Sequence, residues 1–174
     1  MNKNISLLTL ILLFALNSQS QSLKKYPIGN SGCSVYMFCD PGKFSLSYSE
    51  DSAKVYTGQC IADKFIYGII CVNLKDTMAD MDDAESLLES YLDFLKPQFK
   101  IRDAAGYGKG GRLNSNENTS GIVDYWDGED KSKWAIQGWT DGKFIAVLYV
   151  KGSEQPDYTK QKLFFNGFVF PGMK

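Results

Sequence analysis

Gly106, Gly108 and Gly111 stand in the spacing G-x-G-x-x-G, within the run GYGKGGR at 106–112. Glycines so placed let a backbone approach a phosphate closely, but a dinucleotide site also needs a helix to begin at once. Residues 112–120 are instead a polar stretch with no helical stripe. A kinase-type loop is excluded as well, because its catalytic segment uses a histidine and the chain has none. The segment is expected to form a surface loop or irregular hairpin, with Gly106, Tyr107, Gly108, Lys109 and Arg112 as candidate contacts for a partner or small ligand. A second grouping sets Asp124, Asp127, Glu129 and Asp130 beside Tyr125, Trp126 and Trp134. Carboxylates next to aromatic rings are the components of a sugar site, and paired acids those of glycoside hydrolysis. Aromatics so placed also serve as sheet core and cross-strand pairs. Tyr125, Trp126 and Trp134 complete the candidate binding residues, and no catalytic residue is assigned.

The lack of histidine excludes every triad or dyad that uses imidazole as its base. Ser22 and Lys25 fit S-x-x-K, but without the accompanying motifs. Asp76, Asp80, Asp82, Asp83 and Glu85 are crowded enough to suggest calcium, yet the D-x-D-x-D-G framework is missing. Acids at a helix start need no metal, since they complement the positive end of the helix dipole. No metal and no cofactor are therefore expected. Asn118, Thr119 and Ser120 form a glycosylation sequon, which has meaning only in a cell that glycosylates exported chains.

Cys33, Cys39, Cys60 and Cys71 contain no C-x-x-C pair, which argues against zinc. In an exported chain they are disulfide candidates. If residues 34–38 form a strand, Cys33 and Cys39 lie about 20 Å apart at roughly 3.3 Å per residue, too far to bridge. Each would then need Cys60 or Cys71. If those residues turn instead, a local Cys33–Cys39 bridge is available, and buried free thiols are the remaining alternative.

Residues 1–20 carry Lys3, an apolar run over 5–16 and then small polar residues, the order of a secretory signal peptide. The run is shorter than the about 20 residues a spanning helix needs. Cleavage near Ser20 is expected, with a retained anchor as the alternative. Lipid attachment at Cys33 is rejected because Lys24, Lys25 and Pro27 separate it from the apolar run. Without the leader the chain holds 18 basic and 20 acidic residues. That balance gives no basic surface for nucleic acid, and no stable membrane insertion is expected after cleavage. Residues 21–32 are expected as a flexible lead-in, and 33–174 as a single α+β domain.

The elements that must position these groups follow from periodicity. Ala84, Leu88, Tyr91, Leu92, Leu95 and Phe99 form one apolar stripe, predicting a helix over 80–99 that stops or kinks at Pro97. Its acids should cap the start and its stripe should cover a sheet. Residues 34–38, 44–48 and 54–60 read as strands. Residues 65–74 and 144–150 are apolar on alternating and intervening positions alike, which requires cover on both faces. Strands over 122–126 and 134–140 follow, the latter joined to 143–151 through Asp141 and Gly142 as a tight type I′ hairpin. A shorter helix runs from Pro156 and Asp157 to about Phe165, and 168–170 is extended. The predicted fold is α+β, a mainly antiparallel sheet covered by the long helix and the shorter C-terminal one, an α/β/α sandwich. A half-barrel curved around one helix is the chief alternative, and a parallel dinucleotide fold is disfavoured by the hairpins.

Over residues 34–170 the order of elements, from FSLSYS through the single long helix and the DG hairpin to KQKLFFNGFVF, with Phe164 and Phe168 spaced Phe-x-x-x-Phe, resembles the PsbP-like α/β/α sandwich superfamily. Members of that superfamily are mostly accessory or assembly proteins that bind partners, and several are exported. The resemblance implies a protein partner, and no functional residue is carried over from it. The expected function is an exported, non-enzymatic binding or assembly protein. The alternatives are a carbohydrate-active or other carboxylate enzyme around Asp124, or a small-ligand carrier with a pocket under the long helix.

Overall fold

The computed structural model describes residues 22–173, so the predicted signal peptide over 1–20 lies outside the described residues. The strands are β1 (Lys24–Pro27), β2 (Ser34–Met37), β3 (Ser45–Tyr48), β4 (Lys54–Ala62), β5 (Phe65–Asn73), β6 (Ile101–Ala104), β7 (Gly108–Gly111), β8 (Ser120–Gly128), β9 (Lys133–Thr140), β10 (Phe144–Gly152) and β11 (Phe168–Val169). The helices are α1 (Met81–Gln98) and α2 (Tyr158–Phe165). The main sheet runs β3-β4-β5-β10-β9-β8-β6, with β7 also on β8, and its pairings are antiparallel. Two meanders, β3-β4-β5 and β8-β9-β10, meet at the β5–β10 pair. The chain leaves the centre at β5 and resumes at the far edge with β6, so α1 must cross the sheet, and it packs on β8, β9 and β6.

Two-residue alternation sorts β5 and β10 into two cores. Ile70, Val72, Ile145 and Val147 face Leu88, Leu92 and Leu95 of α1. Tyr67, Ile69, Cys71, Ala146, Leu148 and Val150 face Val35, Met37, Phe164 and Phe168 on the other side. This is the double cover that their unbroken apolar sequence requires. The fold is the expected α+β sandwich, with one refinement. The second face is covered by α2 together with a small sheet ordered β1-β2-β11, rather than by a helix alone. The Trp139 indole ties this layer down by donating to the Phe165 carbonyl at 2.9 Å.

Helix α1 starts as its sequence indicates. The Asp80 carboxylate accepts from the Asp82 amide at 2.8 Å and the Asp83 amide at 3.4 Å, and Pro97 falls in the last turn before the cap at Phe99. Ala84, Leu88, Leu92 and Leu95 are its buried stripe.

The expected flexible lead-in over 21–32, of which residues 22–32 are described, is structured over part of its length. It contains β1, paired to β2, and a fully buried Ile28. Its polar composition is that of an edge strand, which keeps its lysines in solvent, and not of a loose tail. The Asp141–Gly142 hairpin joins β9 and β10 as expected, but not as a type I′ turn. Gly142 has φ of +81° while Asp141 stays out of the left-handed region. The Asp141 carboxylate instead accepts from the Lys143 and Phe144 amides, at 3.0 and 2.7 Å. Of the cysteines, Cys39 and Cys60 form a disulfide with Cα atoms 5.8 Å apart, while Cys33 and Cys71 are buried thiols. The bridge links the chain just after β2 to β4.

Candidate functional site

The glycine-rich run forms part of the sheet edge. β6 and β7 lie end to end along β8, separated by residues 105–107 and disturbed by register shifts, so 101–111 is one interrupted edge strand. The Ala105 amide donates to the Tyr125 carbonyl at 2.9 Å. The Gly106 amide donates to Asp124 Oδ1 at 3.0 Å, and Gly106 itself takes φ of +98°. A backbone amide that would face a phosphate is therefore already held by a carboxylate. Tyr107 Oη donates to Asp93 Oδ1 at 2.6 Å, and Lys96 Nζ donates to Asp93 Oδ1 and Tyr107 Oη, each at 2.9 Å. Lys109 pairs with Glu89. Arg112 is exposed and reaches only as far as the Gly111 carbonyl, at 3.4 Å. The polar side chains at 107 and 109 thus clamp the edge strand to α1, beside acids that would repel an anion.

Asp124 is the centre of this clamp. Its side chain is fully buried, Oδ2 accepts from Trp126 Nε1 at 2.6 Å, and Oδ1 accepts from the amides of Gly106 and Tyr125. Lys96 Nζ lies 3.9 Å away. Hydrogen bonds from Tyr107 and Lys96 hold the Asp93 carboxyl below its ordinary range. Burial on its own would lower the Lys96 ammonium, but its bonds to Tyr107 and Asp93 together raise it. A glycosidase acid needs the opposite shift, a carboxyl kept protonated near neutrality. This arrangement fastens the helix to the sheet edge.

The predicted aromatic set divides between the two faces. Trp126 and Trp134 are cross-strand partners on the helix side, and both are buried. Tyr125 pairs with Ala135 and points to the opposite face, 37% exposed. Trp134 instead joins residues that its sequence neighbourhood did not suggest. Phe99, the cap of α1, stacks on it with centroids 5.0 Å apart, and Tyr149 lies 5.5 Å from each ring. Phe99 and Trp134 border a cavity of about 610 Å³ together with Gln98, Lys100, Glu129, Asp130 and Lys151. Lys151 Nζ sits 4.7 Å over the Trp134 ring and 3.0 Å from Asp130 Oδ2. Ser132 and Lys151 hold the Asp130 carboxyl well below its usual range. Tyr149 lies flat across Gly68, where a Cβ would come within 2.1 Å of the ring, and donates to Gln59 Oε1 at 2.9 Å. Burial pushes its hydroxyl up to about 12. The apolar parity of 144–150 marked Tyr149 as covered, but nothing in that run indicated a groove.

The two edges of the main sheet differ. The β6–β7 edge is broken by glycines and carries Arg102, Asp103 and Lys109, devices that discourage another strand from pairing. At the other edge, β3 has the uncharged sequence SLSY, all of it exposed, and among the described residues it is paired on one side only, to β4. Leu46 is 47% and Tyr48 63% exposed. Leu46 stands opposite Tyr56 and Tyr48 opposite Lys54, so both side chains leave the same face. The alternation in 44–48 predicted this strand, although not that its apolar residues would stand partly in water.

No protein-family model matches the chain, and no curated protein is significantly similar to it. Among the described residues no helix is long and apolar enough to cross a membrane, and no cluster of three or more cysteine, aspartate or glutamate side chains is placed to hold a metal.

Proposed function

We propose that the protein is an exported, non-enzymatic binding or assembly module that takes an extended segment of a protein partner onto the β3 edge. The observation that carries this reading is an uncharged edge strand with Leu46 and Tyr48 exposed on one face. Backbone amides and carbonyls on such an edge supply hydrogen bonds to an added strand, and alternate side chains supply selectivity. The signal-peptide pattern, the disulfide and the implied kinship with partner-binding PsbP-like proteins support export and assembly. Pull-down from the exported fraction tests it. The wild-type chain should retain a recurrent partner that Leu46→Lys/Tyr48→Lys loses, while Lys109→Ala keeps it. Equal recovery by all three would refute the edge as the docking site.

A second reading, a small-ligand carrier, is favoured by the Phe99–Trp134 groove with Lys151 and Asp130 at its rim. Ring faces beside charged groups suit a polar ligand with an apolar face, such as a sugar. Native mass spectrometry of freshly exported protein should then show an added mass that Lys151→Ala reduces. Only the bare chain would dismiss this reading.

A further inference from the structure

Cys33 stands immediately before β2, and Cys71 lies on the central strand β5. Residues 28–33 close as a turn in which the Ile28 amide donates to the Cys33 carbonyl at 3.0 Å. Within it, Ser31 Oγ donates to the Ile28 carbonyl at 2.7 Å and accepts from the Cys33 amide at 3.0 Å. The same turn is fixed on Tyr56 of β4. Tyr56 Oη donates to Asn30 Oδ1 at 2.5 Å, and Gly29 lies so close that a Cβ would be 2.8 Å from the ring. Tyr56 is the cross-strand partner of Cys71. The turn therefore brings Cys33 to the strand pair that carries Cys71, and both are buried in one core.

We propose that Cys33 and Cys71 close a second structural disulfide when the chain folds in an oxidising compartment. The reaction is thiol–disulfide exchange with an external disulfide, either a small molecule or an oxidoreductase. One cysteine thiolate attacks that disulfide, forms a mixed disulfide and expels one thiol. The other then displaces the second thiol and forms the Cys33–Cys71 bond. Both cysteines give up their protons, and one external disulfide becomes two thiols. The exchange belongs to folding and not to the finished protein. Cys33 beside it and burial push the Cys71 thiol well above its usual range, which disfavours its thiolate once the small sheet has docked. The consequence is architectural. β2 is flanked by Cys33 and Cys39, and with Cys39 already bound to Cys60 both of its ends become stapled to the main sheet, one to β4 and one to β5.

The test is to refold the reduced mature chain in a mixture of oxidised and reduced glutathione, alkylate it in denaturant without reductant, and map its peptides. A Cys33–Cys71 linked peptide is expected beside the Cys39–Cys60 one, with the intact protein lighter than its reduced form by the mass of four hydrogens. The Cys39→Ser/Cys60→Ser variant should still form the Cys33–Cys71 link. In Cys71→Ala, Cys33 should be alkylated while Cys39–Cys60 persists. Alkylated or glutathione-capped Cys33 and Cys71 in the refolded wild type would overturn the proposal, as would Cys33 linked to Cys39 or Cys60. The measurement needs no partner, so its outcome is independent of what binds the β3 edge.

Discussion

At the scale of the residue, Asp124 shows how a group chosen for its chemistry can be used for structure. Its carboxylate satisfies the Trp126 indole and the amides of Gly106 and Tyr125, with Lys96 as its cation. Removing one partner from a buried charged pair typically costs about 3–5 kcal/mol. Asp124→Ala is expected to lose stability in that range, measured by denaturant unfolding. Asp124→Asn should lose less, because one acceptor survives while its amide must present donors to donors. Tyr149 is the second informative residue, since its position depends on Gly68 having no side chain. Tyr67, Tyr91, Tyr107 and Tyr149 are all pushed up to about 12, in each case by burial first. Their folded values lie above the ordinary 10, so the stability they contribute is complete below pH 10 and is lost as pH rises from 10 toward about 12. Alkaline unfolding in that window is expected, followed by tyrosinate absorbance. In Gly68→Ala the overpacked ring should be displaced at a cost of about 1–3 kcal/mol, and Tyr149 should titrate closer to 10. Unchanged titration would show that Tyr149 does not depend on Gly68. The carboxylates and aromatics were visible in the sequence, but their partners were not, because Asp124 and Gly106 meet across strands and Tyr149 reaches Gly68 on its neighbour.

At the scale of the element, α1 was legible because its signals are local. The stripe, the acids of the first turn and Pro97 all act within a few residues of where they stand. The hairpin at 141–142 was legible for the same reason, although its turn type was decided by the Asp141 carboxylate binding two amides and not by paired positive φ values. The edge elements were less legible. Residues 108–111 pair with β8 as the irregular hairpin that was one of two readings of the glycine run, and β1 is extended because β2 offers it a ladder, where its polar content alone suggested a tail. Leu92 lies fully buried in the stripe that closes one core. Leu92→Asp would place an unpaired carboxylate against Ile70, Val147 and their neighbours, a cost that exceeds the usual margin of stability. It should fail to fold, whereas Leu92→Ala should fold with about 2–5 kcal/mol less stability. A Leu92→Asp variant with native thermal stability would contradict the assignment of α1 as structural cover.

At the scale of the whole molecule, the sheet is finished on both faces and at one edge. α1 closes one face, and α2 with the small sheet closes the other. The β6–β7 edge is bulged, charged and clamped to α1 through Tyr107 and Lys109. The β3 edge is short, uncharged and exposed. That asymmetry is the reason to place the partner there, and it depends on strand order, which no local feature of SLSY discloses. A photo-crosslinking residue placed at position 48 of the exported protein tests this most directly, with matched probes at positions 61 and 112 as controls. The expected result is one recurrent adduct at position 48, absent from the controls and abolished by adding Leu46→Lys. No adduct at position 48, or the same adduct at all three positions, would contradict the assignment of β3 as the partner-binding edge.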